Sequence, residues 1–406
     1  MSPEPVEGPE LPDRVERLLN VGDGVLGLEP AWVARTFLPA GRRLGLAEDA
    51  YEVGVRGAIC ERWLASTTPA DNPVPYPDEG LSAVRTEDGS RLLLADVVRA
   101  APELVLGSVY AASHPAGLGR LAKIFDYAAR LPFHVHPPEA YASRVGRKQK
   151  DEAYHFLPDA DPGAHPETFL GVQPRVAREA REAALLPHLE AWDSDLVLTT
   201  SQAYLQVPGE GFLVPSGVLH APGTALTLEL QEDSDVLSMF QALNAGRIID
   251  KELLYKDVAP SDRAEMGERA PLRFVDWARN GDPDLYARAH LVPVVHQDST
   301  ESVRREWVFS GTLRFSGQRL VVRPGGSARI VEPGVYSVFA WSGSAVWGSA
   351  ELVGGRPGQD EALVVHDTAT AGVEVRNTGP DAFTAYLFSG PDLHPEAALL
   401  ATGWAR

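Results

Sequence analysis

Two of the eleven histidines sit two residues apart, in Leu131-Pro-Phe-His-Val-His136. Side chains of a strand alternate faces, so His134 and His136 are expected to project from one side. Two imidazoles converging from a rigid scaffold suit a divalent metal. Pro215-Ser-Gly217-Val-Leu-His220 follows the β-prone Phe212-Leu-Val214. Its Pro and Gly fit a tight turn that delivers His220 sideways into the next strand. The remaining ligand should be a carboxylate. Glu139, in His136-Pro-Pro-Glu139, stands beside two prolines and reads as a loop residue. Glu152 opens a β-prone run, Ala153 to Leu157, and fits a strand-borne ligand better. His155 has the opposite parity on that run and should face away from a metal.

HxH, then a carboxylate, then PxGxxH is the metal signature of the cupin double-stranded β-helix. Over roughly residues 40 to 260 the chain further resembles class I, cupin-type mannose-6-phosphate isomerase. Glu61-Arg-Trp63 resembles that family's early Glu-x-Trp segment, and Leu121-Ala-Lys-Ile-Phe-Asp126 its strand leading to the metal site. Periodicity alone makes the latter a helix (Leu121, Ile124, Phe125, Ala128); the resemblance makes it a strand. Leu131 to Pro137 resembles LSxQVHP, Lys150-Asp-Glu152 resembles Lys-x-Glu, and Pro215 to Ala221 resembles PAGxxHA. Glu229 with Ser234-Asp235 resembles the family's Glu…Ser-Asp segment.

The resemblance implies metal ligands His134, His136, Glu152 and His220, and one divalent ion. Zinc is the metal the family implies; the donor set also suits Mn, Fe, Ni or Co. It implies aldose–ketose isomerisation of a sugar phosphate, with a proton moving between adjacent carbons. Lys150, Glu229 and Asp235 match the family's polar pocket and are candidate catalytic groups. Two positions depart from the pattern. Met239 stands where the family has Arg, and Pro132 where it has the Ser of LSxQVHP. Neither offers the donor it replaces. Arg247, in Asn244-Ala-Gly-Arg247, is the candidate substitute from a longer loop.

The elements that must carry these residues are mostly short strands. Gly (37) and Pro (33) are spread along 406 residues, which suits strands joined by turns. The fold expected is mostly β: two cupin (jelly-roll) domains with helical insertions at about 175–192 and 246–280. Pro187 should kink or split the first insertion. Residues 1–12 are acidic and Pro-rich and read as a disordered tail, with a short capped helix from Asp13 to Leu19. Residues 92–105 have helical spacing up to Pro102. Residues 13–300 form the metal-binding domain and 301–406 a degenerate cupin-like domain. In the latter His366 is a lone His, and no metal is expected.

Net charge is −19, which argues against nucleic acid and anionic membranes as partners. One cysteine, Cys60, excludes an intrachain disulfide. No stretch reads as a membrane span, and the N-terminus lacks a secretory pattern, so a cytoplasmic enzyme is expected. Its partner is a small sugar or sugar phosphate, and the chain a monomer or homodimer. Two other functions compete. The three-His, one-Glu set also serves Fe or Mn dioxygenases, and the losses at Met239 and Pro132 suit a non-catalytic sugar-binding or regulatory cupin.

Overall fold

The computed structural model describes residues 11–86, 89–115 and 117–400. The expected tail at 1–10 lies outside the described residues. Leu11 and Pro12, expected in that tail, instead begin a helix, Leu11–Val21. Proline is tolerated there because the first turn of a helix has no use for its missing N–H.

Four antiparallel sheets stack as layers. A five-stranded sheet carries His134–Val135 between His220–Ala221 and Ser238–Met239. A seven-stranded sheet packs on it, with Gly211–Val214, Glu152–Phe156, Thr227–Glu232, Arg120–Phe125, Ala58–Leu64 and Ala31–Arg35 as successive neighbours. Leu170 of the first and Phe125, Tyr154 and Phe212 of the second share one core. Arg120–Phe125 is a strand, as the resemblance requires and its local periodicity does not. Pairing with strands on both sides overrides the helical spacing.

The other face of the seven-stranded sheet packs on a nine-stranded sheet, through Leu228, Leu230 and Leu213 against Phe309, Phe339, Tyr386 and Phe388. Arg62 crosses this interface to Asp360 (2.7 and 2.6 Å) and Glu361 (3.0 Å), all buried. A four-stranded sheet closes the far side, with Trp347, Leu352 and Val375 in its core. The nine-stranded sheet draws strands from both sides of residue 300: Val25–Glu29 pairs with Glu361–Val364.

Helices cover the outer face of the five-stranded sheet. Phe133, Val135, Leu219 and Ala221 alternate with the histidines and bury themselves against Leu185, Leu189, Leu254 and Leu272. The insertion at 175–192 is interrupted at Arg181 (φ 45°), not at Pro187. A π-turn, Val176–Ala180, precedes the break, and Pro187 sits inside the Glu182–Ala191 helix at the cost of one backbone hydrogen bond. In 246–280 the helices are Pro260–Met266, Arg269–Leu272 and Trp277–Asn280. Pro102 ends the helical spacing of 92–105 as expected, dividing it into Leu94–Ala100 and Pro102–Leu106.

Candidate metal centre

The strand alternation that buries Phe133 and Val135 outward turns His134 and His136 inward. His220 lies directly across the ladder from His134. The turn before it is a type II turn: the Val218 amide donates to the Pro215 carbonyl (3.1 Å), and Gly217 takes φ +82° at its third position. A side chain there would be strained and would crowd the Phe274 carbonyl. Asn280, fully buried at the end of the second helical insertion, holds the turn. It donates to the Gly217 carbonyl (2.7 Å) and accepts from the Leu219 amide (2.8 Å). Glu152 enters from the facing sheet, at the start of its strand. The four ligand atoms of His134, His136, Glu152 and His220 lie within 4.8 Å of one another, and all four residues are buried.

The imidazoles are set for a cation. Nδ1 of His134 lies 2.8 Å from the Pro132 carbonyl, that of His136 2.7 Å from the Val236 carbonyl, and that of His220 2.9 Å from the Val218 carbonyl. A carbonyl only accepts, so each Nδ1 carries the proton and each neutral ring turns an Nε2 lone pair inward. His136 Nε2 then faces Glu152 Oε2 at 3.0 Å, and His220 Nε2 faces Glu152 Oε1 at 2.8 Å. His220 Nε2 is buried with no hydrogen-bond partner among the described residues. Protonating His134 or His136 is disfavoured. Burial, then His220 and His136, hold His134 well below the usual imidazole range, and burial with the Lys150 charge brings His136 to about 3. Lone pairs aimed at a carboxylate need a cation between them, and the donor set fits one. Pro132, lacking the family's hydroxyl, contributes the carbonyl that orients His134.

From Glu152 an alternating chain of seven buried charges runs into the seven-stranded sheet. Lys150 Nζ touches Glu152 (2.7 Å) and Glu229 (3.2 Å). Lys123 Nζ lies 3.4 Å from Glu229 and 3.7 Å from Glu61. Arg35 joins Glu61 (2.7 and 3.1 Å) to Asp235 (3.4 Å). Tyr127 donates to Glu61, as does Trp63 Nε1 (2.7 Å), and Tyr154 donates to Glu152. Burial opposes the charge of Glu61, but Arg35 and Lys123 outweigh it and hold the carboxyl at about 2. Burial pushes Glu229 up to about 7 against the pull of Lys123 and Lys150. Asp235 stays ionised, because Arg35 and Lys256 overcome its burial.

The structure therefore brings Lys150, Glu229 and Asp235 to the cavity beside the four candidate ligands. It does not bring Arg247 there. Arg247 is exposed on a hairpin, Leu243–Asn244 with Arg247–Ile248, because the Ala245-Gly246 turn carries it outward. It lines a separate pocket of about 750 Å³. Glu139 opens a short helix, Glu139–Ala142, on the surface, where its carboxylate accepts from the Gln149 amide (2.9 Å). His155 faces away from the cavity, toward Tyr386 and Phe309 (ring centroids 5.5 and 6.2 Å). Met239 is buried in the cavity wall, across the ladder from His134. Arg35, Glu61, Lys123, Tyr127 and Tyr154 escaped the sequence reading as site residues. The available signal was parity: Lys123 shares a strand face with Leu121 and Phe125, and a charge at a core-facing strand position demands a partner.

The fold is mostly β, and two facing antiparallel sheets enclose a buried cluster, His134, His136, Glu152 and His220, that could hold a metal ion. Comparison narrows the fold further. No family model matches the chain, and no curated protein matches it by sequence. In structure it is similar to the mannose 6-phosphate isomerase from Bacillus subtilis (TM-score 0.60, 16% identity, covering 90% of this chain and 99% of that one). It is also similar to a mannosephosphate isomerase homologue from Archaeoglobus fulgidus (0.57, 16%, 90% and 97%) and to a mannose 6-phosphate isomerase bound with zinc and yttrium (0.58, 12%, 91% and 100%). The chain thus has the mannose-6-phosphate isomerase fold over nine-tenths of its length, at the low identity of a divergent sequence.

Proposed function

We propose that the chain is a metal-dependent aldose–ketose isomerase acting on a sugar or sugar phosphate. The observation that carries this reading is the inward set of imidazole lone pairs facing Glu152 at 2.8–3.0 Å. His134, His136, Glu152 and His220 hold one divalent ion, and zinc is the first choice because a neighbour in structure is bound with zinc. Such an ion supplies Lewis acidity, polarising sugar oxygens during the proton transfer.

The chain's own residues supply the rest. Isomerisation moves a proton from C2 to C1 and the hydroxyl proton from O2 to O1, so that the carbonyl passes from C1 to C2. Glu229, with a proton affinity near neutrality, can take a proton and return it at pH 7. Lys150 and Lys123 flank it and offset negative charge that develops on sugar oxygens. Asp235 is four ion pairs from Glu229, through Lys123, Glu61 and Arg35, and acts as a positioning residue through Arg35 and Glu61. In this reading the two sheet pairs are cupin domains. The metal-binding one lies within 13–300 and the degenerate one is built mainly from 301–406. No helix among the described residues is long and apolar enough to cross a membrane. A cytoplasmic monomer or homodimer without nucleic-acid partners completes the proposal.

One observation favours a second reading. Three imidazoles with one carboxylate also suit Fe or Mn oxygen chemistry. Metal analysis with parallel assays separates the two. Zinc, with C2 hydrogen exchange into solvent during sugar turnover, supports the isomerase. Iron or manganese with oxygen uptake and no sugar isomerisation refutes it. Sugar binding without either reaction supports the non-catalytic alternative.

A further inference from the structure

The seven-membered charge chain has no free end for an anion. Each of its cations lies between two carboxylates: Arg35 between Asp235 and Glu61, Lys123 between Glu61 and Glu229, Lys150 between Glu229 and Glu152. No other Lys or Arg lines this cavity among the described residues. The remaining wall beside the ligands includes Phe37, Leu131, Leu237 and Met239, none of which has a polar hydrogen to give. Four carboxylates face three cations here, so a divalent ion leaves a single excess positive charge. A phosphate dianion exceeds it, and could be satisfied only by stripping a buried cation from its carboxylates, which is costly.

The wider pocket offers little more. Phe37 lines both spaces, and Asn72, on the far side, accepts from Arg35 (2.9 Å). Of its cations, Lys256 touches Asp71 (3.4 Å) and the Asp235 carbonyl (2.8 Å), while Arg263 is held by both Glu252 oxygens (2.6 and 2.7 Å). Arg247 is the one pocket cation without a partner among the described residues, and it is exposed beside Asp71, Asp250 and Glu252.

We infer that the metal cavity takes an unphosphorylated sugar, whose neutral hydroxyls can donate to Glu229 and Asp235 without displacing any cation. The cavity's volume of about 30 Å³ holds little more than a water, so a sugar must displace the Phe37 wall and enter from the wider pocket. This inference rests on the isomerase reading for the identity of the site.

The test uses zinc-loaded full chain with D-mannose and mannose 6-phosphate. It follows both turnover and binding by calorimetry, with inorganic phosphate as competitor. Mannose should bind and react better than its 6-phosphate by about tenfold or more, the scale set by leaving a buried group mispaired. Arg247→Ala should leave that preference unchanged. Equal or tighter binding of mannose 6-phosphate overturns the inference. If neither sugar is isomerised, the isomerase reading fails, while the order of the two dissociation constants still decides the substrate class. Asp235→Asn releases Arg35 from one carboxylate and should shift relative affinity toward mannose 6-phosphate by about tenfold. A folded variant with unchanged relative affinity overturns the claim that paired cations exclude phosphate.

Discussion

Replacing Lys123 with Met tests whether the charge chain sets the proton affinity of Glu229. Lys123 Nζ lies 3.4 Å from the Glu229 carboxylate, and both are buried. At an effective dielectric constant of about 20, that separation corresponds to about 5 kcal/mol of attraction, an upper bound because neighbours and water relax. Even a third of it raises the Glu229 pKa by about one unit above its value of about 7. Met keeps most of the apolar stem. It also removes a partner from Glu61, which retains Arg35, Tyr127 and Trp63. Breaking a buried pair typically costs about 3–5 kcal/mol, but Glu229 can escape part of that by taking up a proton. A group with a raised folded-state pKa contributes stability that is complete below its unfolded pKa and is lost as pH rises through the folded one. The wild-type Glu229 contribution should therefore fade between about pH 4.5 and 7, and that of Lys123→Met should persist about a unit further. The assay pairs denaturant unfolding with pH–rate profiles from pH 5 to 9. The basic shift should appear in both, with turnover at pH 7 reduced by about ten- to a hundredfold. Unchanged pH profiles with stability within about 0.5 kcal/mol of wild type would refute the coupling.

Other outcomes follow from the same geometry. His136→Ala or His220→Ala should lose most bound metal, measured by elemental analysis, whereas Glu139→Ala, altering a surface carboxylate, should keep it. Asn280→Ala leaves the Leu219 amide and Gly217 carbonyl short of a partner, at about 1–3 kcal/mol for an unsatisfied buried group. It should weaken metal binding by about ten- to a hundredfold through His220, as seen in a competition titration. In the nine-stranded sheet region, buried His394 pairs with Glu332 at 2.8 Å; burial opposes its charge, but Glu332 overcomes this and raises its pKa above 6.5. That pair's stabilisation is complete below pH 6.5 and is lost as pH rises through the raised value. His394→Phe should therefore be less stable than wild type by about 1–3 kcal/mol at pH 6, with the gap narrowing by pH 9 in urea titrations. A pH-independent gap would contradict the assignment.

The four clustered candidate ligands were legible because their geometry is local. Parity puts His134 and His136 on one face of a strand, and Pro215-Ser-Gly217 writes a type II turn before His220. Choosing Glu152 over Glu139 needed only strand propensity against the two prolines. The charges around them were not legible, because their meaning is relational. Glu61 and Arg62 are adjacent in sequence, yet one points into the cavity toward Arg35 and Lys123 and the other crosses to Asp360. Lys123 meets Glu229 only because the register places their strands side by side. Local pattern read Leu121 to Ala128 as a helix, and pairing on both sides made its first part a strand.

By itself, then, the sequence determined the donor types, their spacing and the turn that presents His220, since bond geometry and strand alternation act within a few residues. The tertiary structure decided which cations are spent and which are free. Arg247, promising in sequence, is carried outward by its Gly246 turn, while Arg35, a residue with no motif, is buried between Glu61 and Asp235. Ion pairing depends on distances of a few ångströms between strands far apart in the chain, and only packing sets those.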